Sequence, residues 1–221
     1  GQDFKDERDN KYYSTVRIGD QCWMAENLNI GTKLYFDYYE FNTSTDNSII
    51  EKYCYNSLES NCDTYGGMYQ WNEAMNYITT EGAQGICPDG WHIPSLDDWT
   101  TLTTYIGSSY KCDESPYYIA KAFASNYDWT LSEEFSCIVG NNLSTNNYSG
   151  FNALPTGVIR SLDIGGESVY IKESAGFWSS TNKNGITYIY PMNYRTSYFG
   201  SQEVEGDLAI QLALSIRCIK D

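Results

Sequence analysis

The chain has one histidine and no Cys-x-x-Cys pair, so it lacks the ligand spacing of a zinc site built from cysteine and histidine, and none is expected. Basic residues are scarce: 14 lysines and arginines stand against 29 aspartates and glutamates, a net charge of −15. That balance repels a phosphate backbone and an anionic membrane surface, so nucleic acid is excluded as an expected partner. No apolar run approaches the ~20 residues a helix needs to cross a membrane, and no spanning segment is expected. No signal peptide occurs in the chain, as in a mature secreted product. Nor does a Pro/Ser-rich linker or a fixed-period repeat divide it. With 221 residues, 41% of them hydrophobic, it can bury a substantial core, and one domain is expected.

Cysteine and tyrosine are plentiful. Seven cysteines point to an oxidising compartment. Aromatic residues make up 16% of the chain, with 21 tyrosines, more than packing requires. Tyrosine joins a flat apolar face to a hydroxyl, so it can stack on a sugar ring or anchor a protein interface at low entropic cost. Residues 1–11 are charged and nearly free of apolar side chains; they read as a flexible N-terminal segment ahead of a domain spanning 12–221.

The densest information lies in Gly85 to Trp99. Pro88-Asp89-Gly90 reads as a tight turn. Trp91 and Ile93 then alternate inward as a short strand, and Ser95 with Asp98 forms a capping box opening a helix over 96–106 that stops at Gly107. Tyr12 to Ile18 and Gln21 to Leu28 read as a hairpin around Gly19-Asp20. The spacing of Met68, Trp71, Met75 and Ile78 predicts a short helix. Another is predicted to start at Ser115-Pro116. Short β-like runs follow at 168–171, 176–180, 187–192 and 208–219. Helices early and strands late make an α+β fold.

The Gly85 to Trp99 run resembles the signature of the Fibrobacter succinogenes major paralogous domain family, a group of secreted bacterial surface domains. The likeness continues through Val16 to Leu28, Tyr65 to Trp71, Gly150 to Gly157, Gly176 to Thr181 and Ser215 to Asp221. Two departures stand out: Cys22, where an apolar residue such as valine is expected, and an insertion-like acidic and aromatic stretch from Phe36 to Ile50. The resemblance implies a C-type-lectin-like fold with small antiparallel sheets, flanking helices and a long irregular loop region. Formylglycine-generating enzymes are similar at a greater distance.

Cys54 and Cys62 flank a short polar loop and are expected to pair; Cys112 with Cys137 is the second pair. Cys87 and Cys218 remain as a long-range bridge between the signature turn and the last strand. Cys22 is left over, either a small buried hydrophobe or an intermolecular bridge.

For a binding site the interleaved group Tyr188, Tyr190, Tyr194, Arg195 and Tyr198 is the leading candidate, with Trp129 beside it, although packing accounts equally well for the tyrosines. Trp71, Trp91, Trp99 and Trp178 read as core. Calcium is the cofactor that the acidic loops would take, at Asp163 to Glu167 or at Glu203, Glu205 and Asp207. Neither segment has an EF-hand pattern or the Glu-Pro-Asn or Gln-Pro-Asp triplet of calcium-dependent lectins. The pairs Asp97/Asp98 and Glu133/Glu134 read as solvated, and His92 as structural. Asn42, Asn142 and Asn147 begin Asn-x-Ser/Thr triplets by chance.

The expected function is a non-enzymatic recognition or adhesion module, secreted to the extracellular or outer-membrane surface of a bacterium, with glycan as ligand. The alternative is a structural envelope protein that forms homo-oligomers or binds other envelope proteins. An enzyme of the formylglycine-generating lineage would need a free reactive thiol near Cys218.

Overall fold

The computed structural model describes residues 2–162 and 165–221. Phe4–Lys5 (β1) pairs antiparallel with Tyr12–Tyr13 (β2), so the segment expected to be a flexible lead-in carries a short strand. Apolar and polar contacts both hold it: Phe4 packs against Trp91, with ring centres 5.4 Å apart. The Asp6 carboxylate is buried and accepts from the Arg8 guanidinium at 2.6 Å, and Arg8 also donates to the Ile86 carbonyl at 2.9 Å.

Thr15–Ile18 (β3) and Gln21–Met24 (β4) form the hairpin read around Gly19-Asp20, with Gly19 at φ 63°. The insertion-like stretch holds a small hairpin, Phe36–Asp37 (β5) against Glu40–Phe41 (β6). A helix follows at Glu59–Tyr65 (α1). The helix expected from Met68 is instead Met68–Tyr69 (β7) and a single turn, Trp71–Ala74 (α2). The apolar spacing was real, since Met68, Trp71 and Met75 are buried, but Asn76 and Tyr77 take φ 50° and 58° and end the helix.

Trp91–His92 (β8) leads into Leu96–Ser109 (α3), which opens with the expected capping box. Ser95 Oγ accepts from the Asp98 amide at 3.1 Å, and Asp98 accepts from the Ser95 amide at 2.9 Å. Trp99, Leu102 and Ile106 are its buried stripe. Gly107 does not stop it. A Cβ there would stand 2.8 Å from the Pro116 carbonyl oxygen, so the glycine admits the crossing chain. The helix expected from Ser115 shrinks to Ala120–Phe123 (α4): Ser115 Oγ accepts from the Tyr117 amide at 3.3 Å, but the Ala120 amide donates to the Ser197 carbonyl at 2.9 Å and not back to Pro116.

Val158–Leu162 (β9), Gly165–Val169 (β10), Ser174–Lys183 (β11), Ile186–Asn193 (β12) and Gln202–Glu205 (β13) follow. The expected strand over 208–219 is broken into Gly206–Ala209 (α5), Leu212–Ser215 (β14) and Ile219–Lys220 (β15). Among the described residues the larger sheet runs β10-β9-β14-β11-β12-β13, with β7 also on β14, and a four-stranded sheet runs β8-β15-β4-β3. This is an α+β fold, mostly sheet with few helices, carrying the three expected disulfides.

Strand β11 explains its own apolar run by separating two cores. Phe177 points into a cluster around Trp99, which stacks on Tyr190 at 4.6 Å and meets Trp23 at 4.8 Å; Trp178 points into a second cluster with Trp71, Trp91 and Ile216. Ser179, Ser180 and Thr181, buried in the same strand, bind neighbouring segments: Ser179 O accepts from Trp71 Nε1 at 2.9 Å, and Thr181 Oγ1 accepts from the Leu96 amide at 2.9 Å.

His92 has a structural place here. Its ring lies 2.7 Å from Asp221 and 3.3 Å from Asp98, so Asp98 is engaged rather than merely solvated. The bond to Asp98 raises the histidine pKa above 6.5, with Asp221 adding and burial opposing. Burial alone would raise Asp98, but His92 and Ser95 hold it below 3.8. The histidine contribution is therefore complete below about pH 6.5 and lost as pH rises through the higher folded value. The Asp98 contribution is present above about 3.8 and lost as pH falls through its lower folded value. Thermal unfolding of the parent and His92→Gln should differ by about 1 kcal/mol near pH 5 and converge toward pH 9. A gap that stays constant with pH would show the clamp to be uncharged.

Candidate functional site

A cleft of about 540 Å³ opens on the larger sheet, within the range of small-ligand sites. Val158, Gly176, Ile189 and Leu214 form an apolar floor, and exposed Tyr170 and Tyr198 stand at its walls. Asn193, Thr196, Ser201 and Gln202 supply amides and hydroxyls. None of its described lining residues is charged, in a chain where 19% of residues are. A smaller recess of about 300 Å³ continues from Tyr170 and Asn193 to Tyr194 and Arg195, where the guanidinium lies 5.0 Å over the tyrosine ring.

The turns around the cleft follow from local chemistry. Asn184-Gly185, with φ 55° and 84°, is a two-residue turn of the type that matches strand twist, and it registers β11 on β12. Asn193 accepts from the Arg195 amide at 2.8 Å, turning the chain out of β12 toward Tyr198. The Tyr198 ring then lies over Gly200 so closely that any Cβ there would overlap the phenol.

Of the expected binding residues, Tyr194, Arg195 and Tyr198 line the cleft and its recess. Tyr188 does not: it lies on β12 beside Glu203 and under Lys183. Tyr190 and Trp129 are core rather than surface. Tyr190 is 2% exposed, stacks on Trp99, and turns its hydroxyl to Thr100 and Ser201, with burial pushing its pKa up to about 12. Trp129 is 3% exposed and donates to the Ala153 carbonyl at 3.2 Å. Tyr170 was not anticipated; its signal was its place one residue past the β10 alternation, where a strand gives way to a turn.

Among the described residues no group of three His, Cys, Asp or Glu side chains could hold a metal ion. Glu203 and Glu205 are exposed on either side of buried Val204, and Glu167 is paired with Arg160. Asp163 and the Asp207 side chain lie outside the described residues. Cys218 is fully buried in its disulfide, so it offers no free thiol; Cys22 is free and half-buried.

The model of the Fibrobacter succinogenes major domain matches residues 16–220. The chain belongs to that family. No curated protein and no solved structure matches it. In this Fibrobacter succinogenes major domain, three of the matched motifs, Val16 to Leu28, Gly150 to Gly157 and Gly176 to Thr181, meet at Arg217 of a fourth. Its guanidinium is fully buried and donates to Asn27 Oδ1 at 2.6 Å, to the Met24 and Asn152 carbonyls at 3.1 and 2.9 Å, and to the Phe151 carbonyl. It also lies 4.5 Å from the Phe151 ring centre and 5.6 Å from that of Phe177. Burial pulls its pKa down to about 9, still a cation at neutral pH. The motif residues are thus first a packing device, although Gly176, next to Phe177, also lines the cleft.

Proposed function

We propose that this domain is a non-enzymatic recognition module of a bacterial surface, secreted and disulfide-stabilised, that binds glycan in the Tyr170–Tyr198 cleft. The observation that carries the proposal is the cleft itself: tyrosine walls, amide and hydroxyl groups between them, and no charge among its described lining residues. Sugar rings present apolar faces edged by hydroxyls, and such a surface complements both. The three disulfides support an oxidising, extracellular location. A C-type-lectin-like architecture is the finer reading of the α+β fold. It is supported by the early and late strands pairing side by side and by the long irregular region from 110 to 157. The mode of binding differs from a calcium-dependent lectin, since the cleft uses aromatic and amide groups.

A panel of immobilised glycans and polysaccharides, probed with and without EDTA, tests this. Binding is expected to resist EDTA, and Tyr198→Ala and Tyr170→Ala should each weaken it about 5- to 30-fold, the scale of a truncated aromatic anchor. Gly200→Ala provides a sharper test, since the added methyl displaces only the far end of the Tyr198 side chain. It should weaken binding comparably while leaving the melting temperature within about 2 °C. A blank panel at high protein concentration sinks the glycan reading.

Envelope assembly is the second reading. It is favoured by the β5–β6 hairpin, whose Tyr38 and Tyr39 are 57% and 81% exposed. Light scattering separates the two, because an assembly protein is not monomeric.

A further inference from the structure

Tyr198 has a second face. On the opposite side of the 198–201 turn lies another cleft, of about 500 Å³, between that turn and helix α3. Tyr198, Gly200 and Ser201 line both clefts, so the two share one wall. The second is walled by Tyr117, 69% exposed, and carries hydroxyls from Thr100, Thr104 and Ser108. It too has no charged residue among its described lining residues.

Two adjoining clefts of similar size exceed what one sugar ring fills, and both avoid charge in a chain of net charge −15. A uronate or sulfated glycan would meet the field of the whole molecule with no cation among the described residues of either cleft to offset it, and Arg195 in the adjoining recess is already paired with Glu134 at 3.5 Å. We infer that the two clefts form one extended site for a neutral polysaccharide chain, which crosses the Tyr198 ridge and places successive residues on either side. This rests on the glycan reading above and adds to it the charge class and the chain mode of binding.

The test is calorimetric titration of the whole domain with neutral cello-, xylo- and manno-oligosaccharides, from monosaccharide to hexasaccharide, with oligogalacturonides as the charged arm. In at least one neutral series affinity should climb with length, by about tenfold between the disaccharide and the hexasaccharide. Two variants address the second cleft: Tyr117→Ala removes its wall, and Thr104→Lys fills it from an exposed helical position. Each should abolish the gain with length while leaving the affinity for the shortest binding oligomer unchanged. If short oligomers bind, Tyr170→Ala weakens them, and affinity is flat with length or indifferent to both variants, the extended site is wrong and the glycan reading stands. Oligogalacturonides binding as tightly as the neutral series would overturn the neutral assignment. If no oligomer of any series binds, the glycan reading itself fails.

Discussion

Replacing Arg217 with methionine is expected to cost this domain about 3–5 kcal/mol, a large part of a typical domain's net stability. Methionine fills much of the same volume, so the loss is not mainly a cavity. It lies in the acceptors left behind. The Met24, Phe151 and Asn152 carbonyls and Asn27 Oδ1 all receive hydrogen bonds from this one guanidinium. They belong to segments fixed by other contacts, so they cannot turn to water, and each buried orphan costs about 1–3 kcal/mol. Relief of the cation's own burial offsets part of that sum. Swapping a buried ion pair for hydrophobes can be neutral because both partners go; here the partners are mostly backbone and remain. At about 2–4 °C per kcal/mol for a domain of this size, the melting temperature should fall by about 6–20 °C. Arg217→Lys restores the charge as a single point but not the planar fork, and should recover less than half of the loss. A methionine variant within about 1 kcal/mol of the parent, by urea unfolding, would refute this account.

What could be read from the sequence was whatever local chemistry decides. The Ser95–Asp98 box, the Gly19-Asp20 hairpin and the pairing of Cys54 with Cys62 each involve a few adjacent residues whose geometry admits little choice. The long-range disulfide was legible because the more local pairings left it over. Arg217 was not, because a cation in an apolar strand is ordinarily a surface residue, and only the fold brings four acceptors from two distant segments around it. The same holds for Lys121, buried against the Ile138 and Asn141 carbonyls. The false helix at Ser115 failed for another reason. Its hydroxyl and proline are sound start signals, but a capping preference of about 1 kcal/mol is outweighed by the tertiary contact that takes the Ala120 amide to the Ser197 carbonyl.

The candidate site divides in the same way. That tyrosine was in surplus was evident from composition, but which tyrosines face solvent depends on side-chain alternation along β12 and on the turn after it. Tyr190 goes inward to Trp99 while Tyr198, eight residues on, rides over Gly200 into the open. The Asn184-Gly185 pair was a legible hairpin signal; reading it would have joined two short predicted strands into the long β11–β12 ribbon that floors the cleft.

Removing the Cys87–Cys218 bridge by the double substitution Cys87→Ala and Cys218→Ala should destabilise the domain by about 5 kcal/mol on the chain-entropy account, which scales with the logarithm of the closed loop. The two cysteines are 131 residues apart, against 8 for Cys54–Cys62, where the same relation gives about 2.5 kcal/mol. The native state has other means of holding this junction. β8 and β15 pair through Trp91↔Lys220 and His92↔Ile219, and the Cys218 carbonyl accepts from the Met24 amide at 3.0 Å. The bridge therefore acts mainly on the unfolded chain, which it keeps compact. That assignment has a separate signature: freed of the long loop, the unfolded chain exposes more surface, so the urea m-value should rise as the midpoint falls. A fallen midpoint with an unchanged m would move the effect into the folded state, to lost packing where the two buried sulfurs meet Trp91 and Ile216 in the second core.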